Sequence, residues 1–411
     1  VVANVIGTGV FTTTGFLCDR LGSAANVLLV WALGGLLALC GAAVYGELGA
    51  MLPRAGGEYV YLSRAFHPGV GFVSGWVSLF VGFAAPVALG GQAFGAYLHA
   101  AVPWVPVQAA GVLLIAGLSA LHMGSVREGR RVQRWLTSYK VALIVGFIAA
   151  AFVWGEGSFA HFEPRPADVE ASDLAVALVL VSFAYLGWNA AAYLAGEIKD
   201  VGRALPRSLL GGTVLVVVLY LGLNVAFLYA APPEALAAQP EQVGAVAASA
   251  LFGGTGGGAF SLLVALALSS SVSAMTMAGP QIYMAMAEDG LFFRALARRS
   301  RDGAPVLGIA LQGGLAILML LTSTFLALLT YVGFTLSIFA ALTVVSAFVL
   351  RRREPEALRP YKVTLWPIPP LLFLALSIWM VILALLERPA ISFAGLATLA
   401  SGLVAYALRA R

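Results

Sequence analysis

Apolar residues along this chain gather into blocks of about 20, each ended by a short polar break, and a helix of that length crosses the roughly 30 Å hydrocarbon core of a bilayer. In the first half the blocks lie near 1–20, 25–50, 70–98, 105–123, 135–154 and 174–198. In the second half they lie near 207–231, 258–287, 306–327, 329–350, 366–386 and 391–408. Inside lipid every backbone polar group needs an internal partner, so such blocks read as helices. The pattern predicts an all-α polytopic membrane protein of about twelve transmembrane helices, with 1–411 as a single transmembrane domain and no soluble domain left over. The chain starts at Val1, already inside the first block and without an initiator Met, so a short preceding segment is expected. That block lacks the basic n-region and cleavage-like site of a signal peptide.

Composition supports this reading. Of 411 residues 61% are hydrophobic and only 10% charged, and mean hydropathy is +0.93, more apolar surface than one soluble core can hide. The basic residues set the orientation, because loops rich in Lys and Arg stay on the cytoplasmic side. With both termini inside, all but four of the 24 Lys and Arg residues fall on inner segments; Arg20, Arg165 and Arg388 lie outside and Lys140 lies within a span. The inner loops include Arg54 and Arg64, then Arg127, Arg130, Arg131 and Arg134, and later Arg301. Topology therefore accounts for the pI near 9.3 without a nucleic-acid partner. Cys18 and Cys40 are too few for a disulfide framework and lack metal-ligand spacing, and the outer loop from His99 to Pro106 has no Cys to tether a partner subunit. The four histidines are dispersed, so neither a metal nor any other cofactor is expected.

The first block carries a weak point, Asn4-Val5-Ile6-Gly7-Thr8-Gly9-Val10-Phe11. Glycine in a helix interior costs about 1 kcal/mol relative to Ala. Unwound backbone at membrane depth is tolerated only against protein or a cavity, and the freed N–H groups at the start of a half-helix form an anion site. Close helix packing through small residues is the other reading of the same glycines. The sixth block holds a second interruption, Val181-Ser182-Phe183-Ala184-Tyr185-Leu186-Gly187-Trp188-Asn189. Interrupted segments in corresponding positions of two halves point to an inverted-repeat transporter with its site at the midplane. The repeats are expected at about 1–155 and 172–352, with two extra C-terminal helices in 364–411.

Gly7-Thr8-Gly9-Val10-Phe11 resembles the Gly-Ser/Thr-Gly-Ile/Val-Phe motif of the amino acid, polyamine and organocation (APC) permeases. Tyr45-Gly46-Glu47-Leu48-Gly49 running to Gly56-Gly57-Glu58-Tyr59 is similar to the same family, as are Gly196-Glu197-Ile198-Lys199-Asp200 and Met277-Ala278-Gly279-Pro280. Tyr185-Leu186-Gly187-Trp188-Asn189, with Val132-Gln133 followed by Lys140, is similar to the L-type amino acid transporter branch and its bacterial relatives. Leu186 departs from the Gly usual there and bears on pocket width. The resemblance implies a 5+5 inverted repeat with helices 1 and 6 interrupted. It puts a substrate carboxylate at Gly7, Thr8 and Gly9, and the ammonium at carbonyls near Ile6, Phe183, Ala184 and Leu186. Phe183 matches an aromatic outer gate. Asn189 supports the sixth-helix break, borders the side-chain pocket or makes a packing hydrogen bond.

Lys140 lies six residues beyond Arg134, about 9 Å along a helix. It either snorkels to the interface or, as the resemblance implies, places its ammonium where sodium-coupled relatives hold an ion, near Ser269, Ser270 and Ser273. The second reading makes transport sodium-independent, by exchange or uniport. A buried ammonium is also a candidate proton carrier, so proton symport through Lys140 is the alternative. Glu47, Glu58 and Glu197 sit near inner span ends with Arg54, Arg64 and Lys199 at hand; an inner gate (Glu47, Glu197) or fold stability is expected of them. No carboxylate falls near the centre of the first, third or sixth span, which favours a neutral amino acid over a cationic one.

Other function classes lack their chemistry. A channel would show a repeated pore motif. An enzyme would need a partner base for Ser269-Ser270-Ser271, or a Gly-rich phosphate loop with a Lys. The expected location is a bacterial inner membrane.

Overall fold

The computed structural model describes residues 1–54, 56–124, 126–163, 169–193, 195–300 and 303–409, without the side chains of 3, 4, 126–134, 190, 197 and 409. The side chains of Arg127, Arg130, Arg131, Gln133, Arg134 and Glu197, and the whole of Arg165, Arg301 and Arg411, thus lie outside the described residues.

The first span is two helices, α1 (Val2–Val5) and α2 (Thr8–Leu21). Next come α3 (Ala24–Met51), the short α4 (Glu58–Ala65) between spans, and α5 (Pro68–Val77), which runs through a π-helical turn at Ser78–Ala84 into α6 (Ala85–Ala101). Then follow α7 (Val107–Gly124), α8 (Val126–Val153) and the sixth span, α9 (Ala171–Ala184) with α10 (Ala190–Tyr193). The remainder is α11 (Val201–Ala230), α12 (Pro233–Ala237), α13 (Val243–Glu288), α14 (Val306–Thr322), α15 (Phe325–Arg353), α16 (Ile368–Glu387) and α17 (Pro389–Arg409). Among the described residues nine helical stretches are long and apolar enough to cross a membrane. With the two interrupted spans and α14 they make the twelve-span arrangement.

Burial sorts these helices into centre and rim. Of the most apolar stretch of Pro68–Ala101, 83% is buried, against 28% for Ile368–Glu387 and 17% for Pro389–Leu408. Leu113, Val218, Ile382 and Phe393 point large apolar side chains outward, as lipid-facing helices must. Small residues let central helices touch. A Cβ on Gly90 would sit 2.5 Å from Val272 of α13, and one on Gly49 2.4 Å from Leu205 of α11. Gly253, at φ +78°, splits α13 into a short leading arm and a long span.

Consecutive spans alternate direction, so α3 and α15 finish, and α5 and α11 begin, at one end, called here the basic end for its Arg54, Arg64, Arg203, Arg207 and Arg351. There Glu47, buried on α3, accepts from Arg351 Nε and Nη2 of α15 at 2.7 and 2.5 Å and from the Val363 N–H at 2.7 Å. Arg359 lies 3.7 Å away. The nearby cations named from the sequence go elsewhere, Arg54 to Asp289 at 3.6 Å and Arg64 to Glu354 at 2.8 Å. Arg351 meets both oxygens of Glu47 through Nε and Nη2, the bidentate geometry that makes guanidinium–carboxylate pairs strong. At the opposite end Arg20, at the close of α2, pairs with Asp173 of α9 at 2.6 Å.

Candidate functional site

The helix breaks where the two glycines weaken it. Ile6 leaves α1 with ψ +92°, and Gly7 turns the chain into α2 with φ −129° and ψ −152°. Each helix end exposes unpaired backbone groups. At the carbonyl end of α1 the protein supplies the partners. Tyr220 OH donates to Val5 O at 2.7 Å. Lys140 Nζ donates to Ile6 O at 2.6 Å and to Ser271 Oγ at 2.7 Å, and Ser271 Oγ lies 3.1 Å from the same carbonyl. Lys140 is 1% exposed, so it is buried against the break and does not snorkel.

At the amino end of α2 no side chain caps the helix and no acidic residue stands in its first turn. Gly7, Thr8 and Gly9 line a cavity there. The Thr12 hydroxyl donates back to Thr8 O at 2.9 Å. The two glycines have different surroundings. A Cβ on Gly7 would lie 3.6 Å from its nearest neighbour, whereas one on Gly9 would lie 2.3 Å from the Ala184 Cα. Gly9 is therefore the crossing point of the two interrupted spans.

On the sixth span, α9 stops at Ala184. The Tyr185 N–H still reaches Val181 O at 3.0 Å and the Leu186 N–H reaches Phe183 O at 2.9 Å. Gly187 then takes φ +100°, a conformation glycine adopts without penalty. Trp188 packs edge-on against Tyr45 with centroids 4.7 Å apart. Asn189 Nδ2 donates to Glu58 Oε1 at 3.1 Å and to Tyr193 OH at 3.2 Å, and Tyr45 OH donates to the same carboxylate oxygen at 2.5 Å. Glu58, on α4 at the basic end, lines the cavity; burial pushes its carboxyl up, and the Tyr45 and Asn189 hydrogen bonds pull partly back. Glu58 thus reaches the cavity from near a span end, whereas the sequence shows no carboxylate near the centre of the first, third or sixth span.

The cavity is about 110 Å³ measured to the centres of water-sized spheres, several times the roughly 10–15 Å³ one water needs. Phe183, Ala184, Leu186 and Asn189 line it together with the α2 glycines, and Ile6 lies buried behind them. The π-helical turn adds Ser78, Gly82 and Phe83. Pro86 accounts for that turn: proline has no N–H to return to Gly82 O, and the Ala85 N–H bonds Phe80 O, five residues back. A proline inside the third apolar block was the available signal.

The α13 serines divide. Ser271 meets Lys140, Ser269 Oγ donates to Leu266 O at 2.7 Å on an exposed face, and Ser273 Oγ lies 2.8 Å from His122 Nε2. Ser270 is buried. Helical phase decides this, since residues one and two apart point 100° and 200° away from each other. Tyr220 and Ser271 were missed, because hydroxyls on apolar spans look alike until the break shows which carbonyls need donors. Among the described residues no group of three His, Cys, Asp or Glu could hold a metal. Uncapped N–H groups on one wall and a helix carbonyl end on the other suit a small zwitterion.

The profile of a family described as "Amino acid permease" matches residues 1–401. The mouse large neutral amino acids transporter small subunit 2 is 29% identical over 425 residues, covering 99% of this chain and 78% of that protein. The serine/threonine exchanger SteT of Bacillus subtilis is 28% identical over 380 residues, 91% of this chain and 86% of SteT. The mouse b(0,+)-type amino acid transporter 1 is 29% identical over 409 residues, covering 95% and 81% respectively.

Proposed function

The chain belongs to the amino acid permease family of integral membrane transporters, and from that premise we propose that it moves a neutral L-amino acid by alternating access, as a sodium-independent exchanger or uniporter. The observation that carries this reading is the uncapped start of α2 opening into a cavity shared with the end of α9. The substrate carboxylate meets the N–H groups at Gly7, Thr8 and Gly9 and the Thr8 hydroxyl. Its ammonium meets the carbonyl end of α9 around Ser182 and Ala184. Ile6 O is a poorer acceptor for it because Lys140 and Ser271 already bond there. Phe183 covers the substrate from the α9 side.

Lys140 acts as a fixed cation that ties α8, α13 and α1 together, which removes the need for sodium. Glu58 lines the cavity, and a neutral substrate is supported by the burial that pushes its carboxyl up, toward the uncharged form. The names of two of the three relatives agree, referring to large neutral amino acids and to serine and threonine. We also assign two inverted repeats, about 1–155 and 172–352, on the matching breaks in the first and sixth spans. We place both termini on the cytoplasmic side on the strength of the basic loops, and the similarity to SteT of Bacillus subtilis supports a bacterial inner membrane. No chemical step accompanies transport. No disulfide-linked partner is needed; Cys18 and Cys40 are both buried.

Uptake of labelled neutral amino acids into proteoliposomes, with and without internal amino acid, tests this reading. Saturable, sodium-independent uptake that internal substrate accelerates is expected for exchange, and saturable uptake without acceleration for uniport. Unsaturable ionic current refutes both.

A further inference from the structure

The cavity continues past the two breaks. Ala184 faces α2, where Gly9 leaves no room for a Cβ. Ser182 is two residues earlier, about 200° around the helix, and lies on the other side of α9, its Oγ 3.5 Å from Met380 Sδ of α16. A thioether is a weak acceptor, so this hydroxyl keeps most of its bonding capacity. From the same side α16 contributes Phe373 and Ser377 to the cavity wall, and α15 contributes Leu336, Ser337 and Ala340. Ser377 is 1% exposed, and its Oγ has no hydrogen-bond partner among the described residues. Ser337 Oγ donates to Gly333 O at 2.7 Å, leaving its lone pairs free.

A buried hydroxyl without a partner is unfavourable in a folded protein unless something else fills its bond. Here the residue that carries it lines a cavity together with Ser182 and Ser337 from two other helices, and the remaining lining residues of α15 and α16, Leu336, Ala340 and Phe373, are apolar. On the reading that the chain carries an amino acid whose backbone is held at α2 and the α9 end, we propose that the lobe between α9, α15 and α16 receives the substrate side chain and that Ser377, with Ser182, selects a short side chain bearing a hydroxyl. Serine and threonine, which can both donate and accept there, fit this chemistry; alanine and valine leave Ser377 unpaired.

The test is competition of labelled alanine and labelled serine uptake into proteoliposomes of the full chain by matched pairs, threonine against valine and serine against alanine. Threonine is expected to compete several-fold better than valine in the wild type. Ser377→Ala is expected to shrink that preference by about 3- to 10-fold, the range of one net hydrogen bond, and Ser182→Ala to move it the same way. The ratio is internal to each preparation, so it does not depend on how much variant protein folds. Saturable uptake with an equal or inverted threonine-to-valine ratio in the wild type, or a ratio unchanged in both variants, overturns the lobe assignment alone. Absence of saturable uptake of any neutral amino acid by the wild type overturns the transport reading and the lobe with it.

Discussion

Gly7 and Gly9 look equivalent in the motif, yet the structure separates them, and a pair of alanine substitutions reads out the difference. At Gly9 the added Cβ would meet Ala184 Cα at 2.3 Å, Cβ at 2.5 Å and N at 3.2 Å. Ordinary contact begins near 3.4 Å, so α2 and α9 must part by about 1 Å at their crossing. Much of this overlap is with backbone, which no rotamer change relieves. Overpacking of a tight contact costs about 1–3 kcal/mol, and it falls where the two breaks jointly shape the cavity. At Gly7 the nearest atom to an added Cβ is Ser271 Oγ at 3.6 Å, and the backbone angles are open to alanine. Gly9→Ala is therefore expected to lower the thermal midpoint of the purified protein and abolish uptake. Gly7→Ala is expected to keep the midpoint while raising KM, because its methyl group crowds the proposed carboxylate site. Thermal unfolding in detergent and initial-rate uptake separate these effects. Equal midpoints for the two variants, or full uptake by Gly9→Ala, would refute the crossing-point argument.

Three other substitutions test other parts of the site. Lys140→Met removes two hydrogen bonds from an ammonium, each worth about 1.5–3 kcal/mol, and uptake should fall at least about tenfold, while replacing sodium with choline should leave wild-type uptake unchanged; a sodium-dependent wild type contradicts the fixed-cation role. For Glu58, burial raises the folded-state value above the usual 4.5, so this group's contribution to stability is fully present at acid pH and is lost as pH rises through the raised value. Glu58→Gln keeps an acceptor for Tyr45 OH and should flatten that slope in thermal midpoints measured between about pH 5 and 8; parallel wild-type and variant curves would exclude the linkage. Glu47→Ala leaves Arg351 unpaired and should cost about 3 kcal/mol, the lower end for a buried pair because Arg351 is 24% exposed. The Glu47→Ala/Arg351→Ala double variant should lose clearly less than the sum of the singles.

Span count and the two breaks were legible because they are one-dimensional signals: apolar length and glycine at depth. Side-chain partnership was not. Lys140 could be singled out as a charge inside an apolar block, but Ser271 could not be chosen over Ser269, Ser270 and Ser273 without the rotation of α13 relative to α1. Glu47 was visible as a carboxylate near a span end, but its partner Arg351 is 304 positions away, beyond any local pattern. Glu58 was legible as a carboxylate near a span end. What linear position hid is that α4 folds back beneath the sixth-span break, so that a residue between spans borders the central cavity.

That fold-back links the site to the basic end. The Gly56 N–H bonds Tyr193 O at 3.1 Å, and Gly57, at φ +50°, lies where a Cβ would be 2.4 Å from the Tyr193 ring. A residue with any side chain would hold α4 away from α10. Asn189 belongs to the same contact through Glu58 and also lines the cavity. Any parting of α10 from α4 would break the Asn189–Glu58 and Gly56–Tyr193 hydrogen bonds together. A ligand that draws Asn189 toward the cavity weakens one of these two bonds, and protonation of Glu58 weakens the same one by removing its negative charge. At the opposite end the Arg20–Asp173 pair joins α2 directly to α9, so the two interrupted spans are tied both at their crossing and at that end.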